Sequence, residues 1–222
     1  SPDGRWEALR RDGALYLRDT RDGGERELAK DDDGGQFRSE PVWAPDSSRF
    51  AVWQDRDVPE RIVHFIERSP KDQLQPKYFN RGYPKPGDEI DTRVPWVFFT
   101  GKDAPIPVDP KLVENPFECR SLQWRGDSRR LTFEFIERGF GKHHVIEIDT
   151  ASRRQRVLVR EDSDTFVFVY GNSYRRDLKD GEEILWMSER DGWKHLYLLD
   201  GRDGSTRRQL TRGEWVVREV VD

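Results

Sequence analysis

The sequence of 222 residues contains one cysteine, Cys119, and one methionine. A single thiol excludes an intrachain disulfide and any metal site of the Cys-x-x-Cys kind. No apolar run approaches the roughly 18 to 20 residues of a membrane-spanning helix. No charged-then-apolar leader precedes the first expected strand, and the chain opens on a turn, Ser1-Pro2-Asp3-Gly4, without an initiator methionine, as a processed chain would. No long stretch places apolar residues at i, i+3, i+4 and i+7, and glycine or proline interrupts most candidates, so helices are not expected. Neither sign of charge dominates. With 39 basic and 43 acidic residues interspersed and a net charge of −4, no basic stripe exists to attract nucleic acid. A Gly-x-Ser-x-Gly nucleophile elbow is also missing from the sequence. His64, His143, His144 and His195 fall in or beside expected strands, so no catalytic triad, metal or cofactor is assigned to this chain.

What the chain does have is aromatic weight. Eight Trp and twelve Phe accompany 37% charged residues. Disordered chains lack such aromatic content, whereas alternating strands need only one apolar residue in two. A folded, strand-rich protein is expected.

A repeat decides the architecture. Ser1-Pro2-Asp3-Gly4-Arg5-Trp6-Glu7-Ala8-Leu9 returns as Ala44-Pro45-Asp46-Ser47-Ser48-Arg49-Phe50-Ala51-Val52. It returns again as Arg125-Gly126-Asp127-Ser128-Arg129-Arg130-Leu131-Thr132-Phe133, and more loosely around Lys179-Asp180-Gly181-Glu182. Asp3, Asp46 and Asp127 lie 43 and 81 residues apart, one and two periods of about 40. Proline presets one corner of each turn, aspartate bonds the backbone ahead, and Gly or Ser accepts the reversal. Paired alternating segments follow: Trp6 to Arg10 with Ala14 to Arg18, Phe50 to Gln54 with Ile62 to Glu67, Leu131 to Glu137 with Val145 to Asp149, and Ile184 to Ser188 with His195 to Asp200. Third strands are expected at Arg26 to Ala29, Gln155 to Val159 and Arg207 to Thr211.

This rhythm predicts an all-β partial β-propeller of about four blades, each of three to four antiparallel strands. The blades are placed roughly at 1–35, 36–100, 101–160 and 161–222. Residues 68–118, rich in proline, read as an elaborated connection with one strand from Val94 to Thr100. The arc is expected to be incomplete at both ends.

Several sharper motifs yield to plainer explanations. In Asp31-Asp32-Asp33-Gly34-Gly35 the fifth position of a calcium loop falls on Gly35, so the pattern fails. Arg125-Gly126-Asp127-Ser128 spells an adhesion tetrapeptide but sits at the repeat's turn. On one strand, His143 and Glu147 share a face that His144 does not, so they cannot converge on a metal. Glu182-Glu183 and Glu189 to Asp191 could supply a glycosidase acid, yet 43 acidic residues make such pairs common by chance. Trp6, Trp43, Trp124 and Trp186 recur at blade-like positions, which leaves Trp193 and Trp215 as the tryptophans to inspect for exposure.

Four ordered segments resemble the propeller region of the prolyl oligopeptidase clan, in its dipeptidyl peptidase IV branch. They are Val42-Trp43-Ala44-Pro45-Asp46-Ser47 through Val58-Pro59, Tyr83-Pro84-Lys85-Pro86-Gly87, Trp186 to Trp193, and Leu210 to Val217. The resemblance implies a non-catalytic propeller that gates and orients peptide substrates for a C-terminal α/β-hydrolase domain of the same protein, a serine exopeptidase. It also implies that acidic residues upstream of the Trp-x-Pro-Asp turn hold the substrate ammonium. Here Asp32 and Asp33 occupy that place, without the helical insertion that presents the family's pair. A homodimeric parent in a periplasmic or secreted setting would fit the same likeness. The competing expectation is a stand-alone periplasmic interaction propeller with no peptidase domain.

Overall fold

The computed structural model describes residues 1–31 and 35–221. Among the described residues, eighteen strands and two short 3₁₀ turns, Pro110–Leu112 and Lys179–Gly181, make up the regular elements. Sheet one runs β1 (Trp6–Arg11), β2 (Ala14–Asp19), β3 (Glu25–Lys30). Sheet two opens with β4 (Gln36–Phe37) and β5 (Val42–Trp43), both pairing with β6 (Arg49–Arg56). After β6 the chain leaves the sheet as a separate hairpin, β7 (Ile62–Glu67) and β8 (Lys77–Gly82). It returns as β9 (Thr92–Phe99), which pairs along the whole of β6, and β10 (Ile106–Pro107) forms the outer edge. Sheets three and four are regular four-stranded meanders. Sheet three holds β11 (Pro116–Trp124), β12 (Arg130–Glu137), β13 (Lys142–Asp149) and β14 (Arg154–Asp162), and sheet four holds β15 (Arg175–Leu178), β16 (Glu183–Ser188), β17 (His195–Asp200) and β18 (Thr206–Gln209). No described helix is long and apolar enough to cross a membrane, which leaves β-barrel crossings unaddressed.

One expected pairing is overturned. Ile62 to Glu67 is a strand, but its partner is Lys77–Gly82 and not the strand that begins at Phe50. The reason is local: Val58-Pro59 carries the chain out of the sheet, and the eight-residue β9, with Trp96, Val97, Phe98 and Phe99, offers far more apolar surface to β6.

Alternation along the second strand of each repeat explains how the sheets stack. In β6, Phe50 and Val52 face sheet one and meet Leu15, Leu17, Phe37 and Phe98. Ala51 and Trp53 face the other way and, with Val97 and Phe99, meet Cys119, Leu131, Phe133, Phe135, Ile146 and Ile148 of sheet three. Between sheets three and four, Val145, Leu158 and Val159 pack on Ile184, Trp186, Tyr197 and Leu199. A polar layer accompanies this last core. Glu161 accepts from Ser188 Oγ at 2.6 Å and Trp186 Nε1 at 3.2 Å, and the Arg175 guanidinium reaches Thr132 Oγ1 at 2.6 Å.

The repeated turns behave alike. Asp3, Asp46 and Asp127 each accept a backbone N–H two residues ahead, from Arg5, Ser48 and Arg129, at 3.0, 2.9 and 3.0 Å. The next residue, Gly4, Ser47 or Ser128, has a positive φ of 71°, 60° or 53°. Because strands alternate in direction, every such turn lies at one end of the sheets. The opposite end gathers connections that include 57–91, 138–141, 163–174, 189–194 and 210–217.

Candidate functional site

The loop end carries the features from which recognition could be built. Between sheets two and three it opens a cleft of about 730 Å³, with Trp53 and Cys119 at the floor. Its walls alternate in sign: Arg38, Arg93 and Arg120 against Asp55, Asp57, Asp91 and Glu118. Arg93 pairs with Asp55 at 2.9 Å and lies over the Trp53 ring. Arg120 reaches Glu118 at 3.2 Å and the buried Glu134 at 3.3 Å, while Arg38 holds Asp57. Asp91 accepts the Val58 N–H at 2.9 Å. Such a rim suits the backbone and termini of a peptide, which present both charges and amides. The Cys119 thiol is a poor nucleophile here: burial, helped by neighbouring Glu118, pushes its pKa up to about 12.

Beside the cleft runs a row of aromatics. Segment 163–174 crosses the loop end without joining a sheet, and over Phe166 to Tyr170 its side chains alternate: Val167 and Val169 pack on Ile136, while Phe166, Phe168 and Tyr170 stand 55%, 42% and 60% exposed. Phe117 at the cleft edge and Phe140 of the β12–β13 turn continue the row, with ring centroids 5.0 Å apart and Tyr170 at 6.1 and 5.4 Å. Exposed aromatic clusters on a folded chain mark surfaces that another molecule covers.

The residues singled out from sequence scatter. Asp32 and Asp33 lie outside the described residues. Their neighbour Asp31 is engaged in the fold: it accepts Arg10 Nη2 at 3.2 Å and the Phe37 N–H at 3.2 Å. Arg10 also meets Gln36, which Arg38 grips from the cleft side at 2.8 Å, so Asp31 is linked to the cleft wall through side-chain bonds. His143 donates to Glu134 at 2.9 Å and packs against Trp186, while His144 turns to Asp162 on the opposite face. His195 donates through Nε2 to the Gly213 carbonyl at 3.0 Å, which leaves Nδ1 to accept from Thr211 Oγ1. His64 stacks on Tyr78 in the isolated hairpin. Trp193 and Trp215 are both exposed, at 42% and 48%, whereas Trp186 is fully enclosed. The aromatic row went unnoticed in the sequence, although Thr165 to Tyr170 spells its alternation plainly; it fell between the expected strands.

Comparison with known proteins bears on this geometry. The whole chain, residues 1–222, matches the family described as the dipeptidyl peptidase IV (DPP IV) N-terminal region. Curated relatives include the dipeptidyl peptidases 4 of Trichophyton equinum and Trichophyton tonsurans, each 23% identical over 214 residues, covering 83% of this chain and 27% of the relative. The chain thus spans about a quarter of the length of these relatives. Among solved structures, Porphyromonas gingivalis dipeptidyl peptidase 4 superposes with a TM-score of 0.67 at 17% identity, over 98% of this chain and 32% of that one. The fold is accordingly a partial all-β propeller, and the chain belongs to the dipeptidyl peptidase IV N-terminal region family.

Proposed function

We propose that this chain is the non-catalytic propeller region of a dipeptidyl peptidase IV-like serine exopeptidase, and that its loop end gates and orients peptide substrates for a downstream α/β-hydrolase domain of the same polypeptide. The observation that carries the reading is the crowding of the charged cleft and the aromatic row at one end, while the other end is given over to short repeated turns. The family match over the full chain supports a peptidase parent. Asp32 and Asp33 are proposed to face the substrate's free ammonium, a role that carboxylates beside a partly desolvated cation perform well. Their double replacement by Asn in the full-length enzyme should depress hydrolysis of peptides with a free amino terminus and spare blocked ones. Equal activity on the two kinds of peptide would remove that assignment.

A homodimeric parent is proposed as well. Ile66 and Tyr78 are among the apolar side chains that the β7–β8 hairpin holds out to solvent, and a free two-stranded hairpin is marginal in water. A stand-alone interaction propeller is the competing reading. A reading frame that continues without a hydrolase domain would favour it.

A further inference from the structure

We propose that Lys194 is a positioning residue that pins the aromatic segment 163–174 in place, so that one buried ammonium sets the orientation of Phe166, Phe168 and Tyr170. The proposal rests on the reading of the loop end given above and identifies what holds that surface in shape.

Segment 163–174 is anchored at its two ends, where the Ser163 N–H donates to the Gly141 carbonyl at 2.9 Å and the Tyr174 carbonyl accepts the Met187 N–H at 3.0 Å. It joins no sheet. Its backbone is held from one side by the Val167 N–H, which donates to the Phe140 carbonyl at 2.6 Å, and by the two inward valines. From the other side comes Lys194, the last residue of the β16–β17 connection, which is only 4% exposed. Its Nζ donates to the Phe168 carbonyl and lies 4.9 Å from the centre of the Phe168 ring. Glu189 supplies the counter-charge, with its Oε1 4.0 Å from Nζ and its Oε2 accepting the Phe168 N–H at 3.5 Å. The backbone of Lys194 accepts the Val217 N–H at 2.8 Å, and the Val217 carbonyl accepts from Asn172 Nδ2 at 3.5 Å. One residue therefore links three connections of the loop end: 163–174, 189–194 and 210–217.

A lysine is seldom buried without a specific reason. Burial lowers its pKa, against the pull of Glu189 and Glu161. That charge is directed at a backbone carbonyl of a segment outside the sheets, at an aromatic ring and at one carboxylate. Removing the ammonium leaves the Phe168 carbonyl without its donor and Glu189 without its cation, and the segment opens more often while the sheets beneath stay closed.

Hydrogen exchange on the full-length polypeptide tests this. Lys194→Met should speed exchange of amides 163–172, Val167 above all, by about tenfold or more, the size expected for one lost buried hydrogen bond. Exchange in β12 and β16 should stay at wild-type rates, and Lys194→Arg should recover most of the protection. If Lys194→Met unfolds the whole protein, visible as uniform exchange, Glu189→Gln should loosen the same segment to a smaller extent. Wild-type protection of 163–172 in both Lys194→Met and Glu189→Gln would overturn the proposal. Peptidase kinetics keep the two readings apart: looser exchange with a raised KM and little change in kcat supports both the pin and the substrate-facing role. Looser exchange with unchanged kinetics keeps the pin and removes the role.

Discussion

The backbone N–H of Asp46 donates to the hydroxyl of Ser128, 82 residues further on, at 3.0 Å. The same bond recurs one repeat earlier, from the Asp3 N–H to Ser47 Oγ at 3.1 Å. Each turn therefore grips the next, and the gripping residue is the one with a left-handed backbone. Glycine would adopt that φ without strain, yet two of the repeats carry serine. The hydroxyl acceptor explains the choice.

Ser128→Ala should destabilise the chain by about 1 to 2 kcal/mol, because the acceptor is lost while the left-handed strain stays. Ser128→Gly loses the same acceptor but relieves the strain, and should cost less. Urea unfolding of the two variants checks the order. Alanine as the milder change would contradict it.

In the fourth repeat the serine position is Gly181, and the Arg125 guanidinium takes the space: a Cβ on Gly181 would stand 1.9 Å from Arg125 Nη1. With a φ of +87° as well, Gly181→Ala should cost roughly 3 kcal/mol. Much of that should vanish when Arg125 is also Ala, as it is at the equivalent Ala44. A double-mutant cycle by thermal unfolding should show coupling above about 1 kcal/mol.

Glu134 predicts an acid limb. Burial by itself would raise its pKa, but the hydrogen bond from His143 and the charges of His143, Arg120 and Arg175 bring it down to about 2, below the ordinary 4.5. A folded-state pKa below the unfolded one gives stability that is fully present above about pH 4.5 and is lost as pH falls through about 2. Glu134→Gln should be less stable at neutral pH and lose less on acidification from pH 5 to 2.5. Parallel curves of urea midpoint against pH would show that this pair is not the cause.

Cys119 should resist iodoacetamide at pH 8 in the native state and react fully in urea, since its thiol is enclosed at 2% exposure and pushed to about 12. Labelling followed by mass spectrometry reports this directly, and rapid native modification would mean that the core between sheets two and three opens.

Replacing residues 62–82 with a short glycine-rich link should change the unfolding free energy by no more than about 1 kcal/mol, because β7 and β8 pair with each other alone. A loss of several kcal/mol would show that the hairpin supports the sheets.

The repeat, the strands and the turn chemistry were legible in the sequence because each rests on local physics: a two-residue side-chain period, proline and aspartate at turn corners, and aromatic residues massed where sheets face one another. Trp193 and Trp215 could be singled out as exposed for a related reason, since they break the spacing that Trp186 and Trp124 follow. Which strand β6 would choose was not local. Ile62 to Glu67 and Thr92 to Phe99 both read as strands, and the choice fell to the segment with more apolar area to bury against sheet three. The serines of the turns read as permissive residues in sequence, and only the neighbouring sheet revealed them as acceptors. The loop-end surface was decided later still. Phe117, Phe140 and Tyr170 are separated by up to 53 residues and meet because antiparallel strands return their connections to the same end. Local periodicity thus specified the blades, and long-range packing specified the face they jointly present.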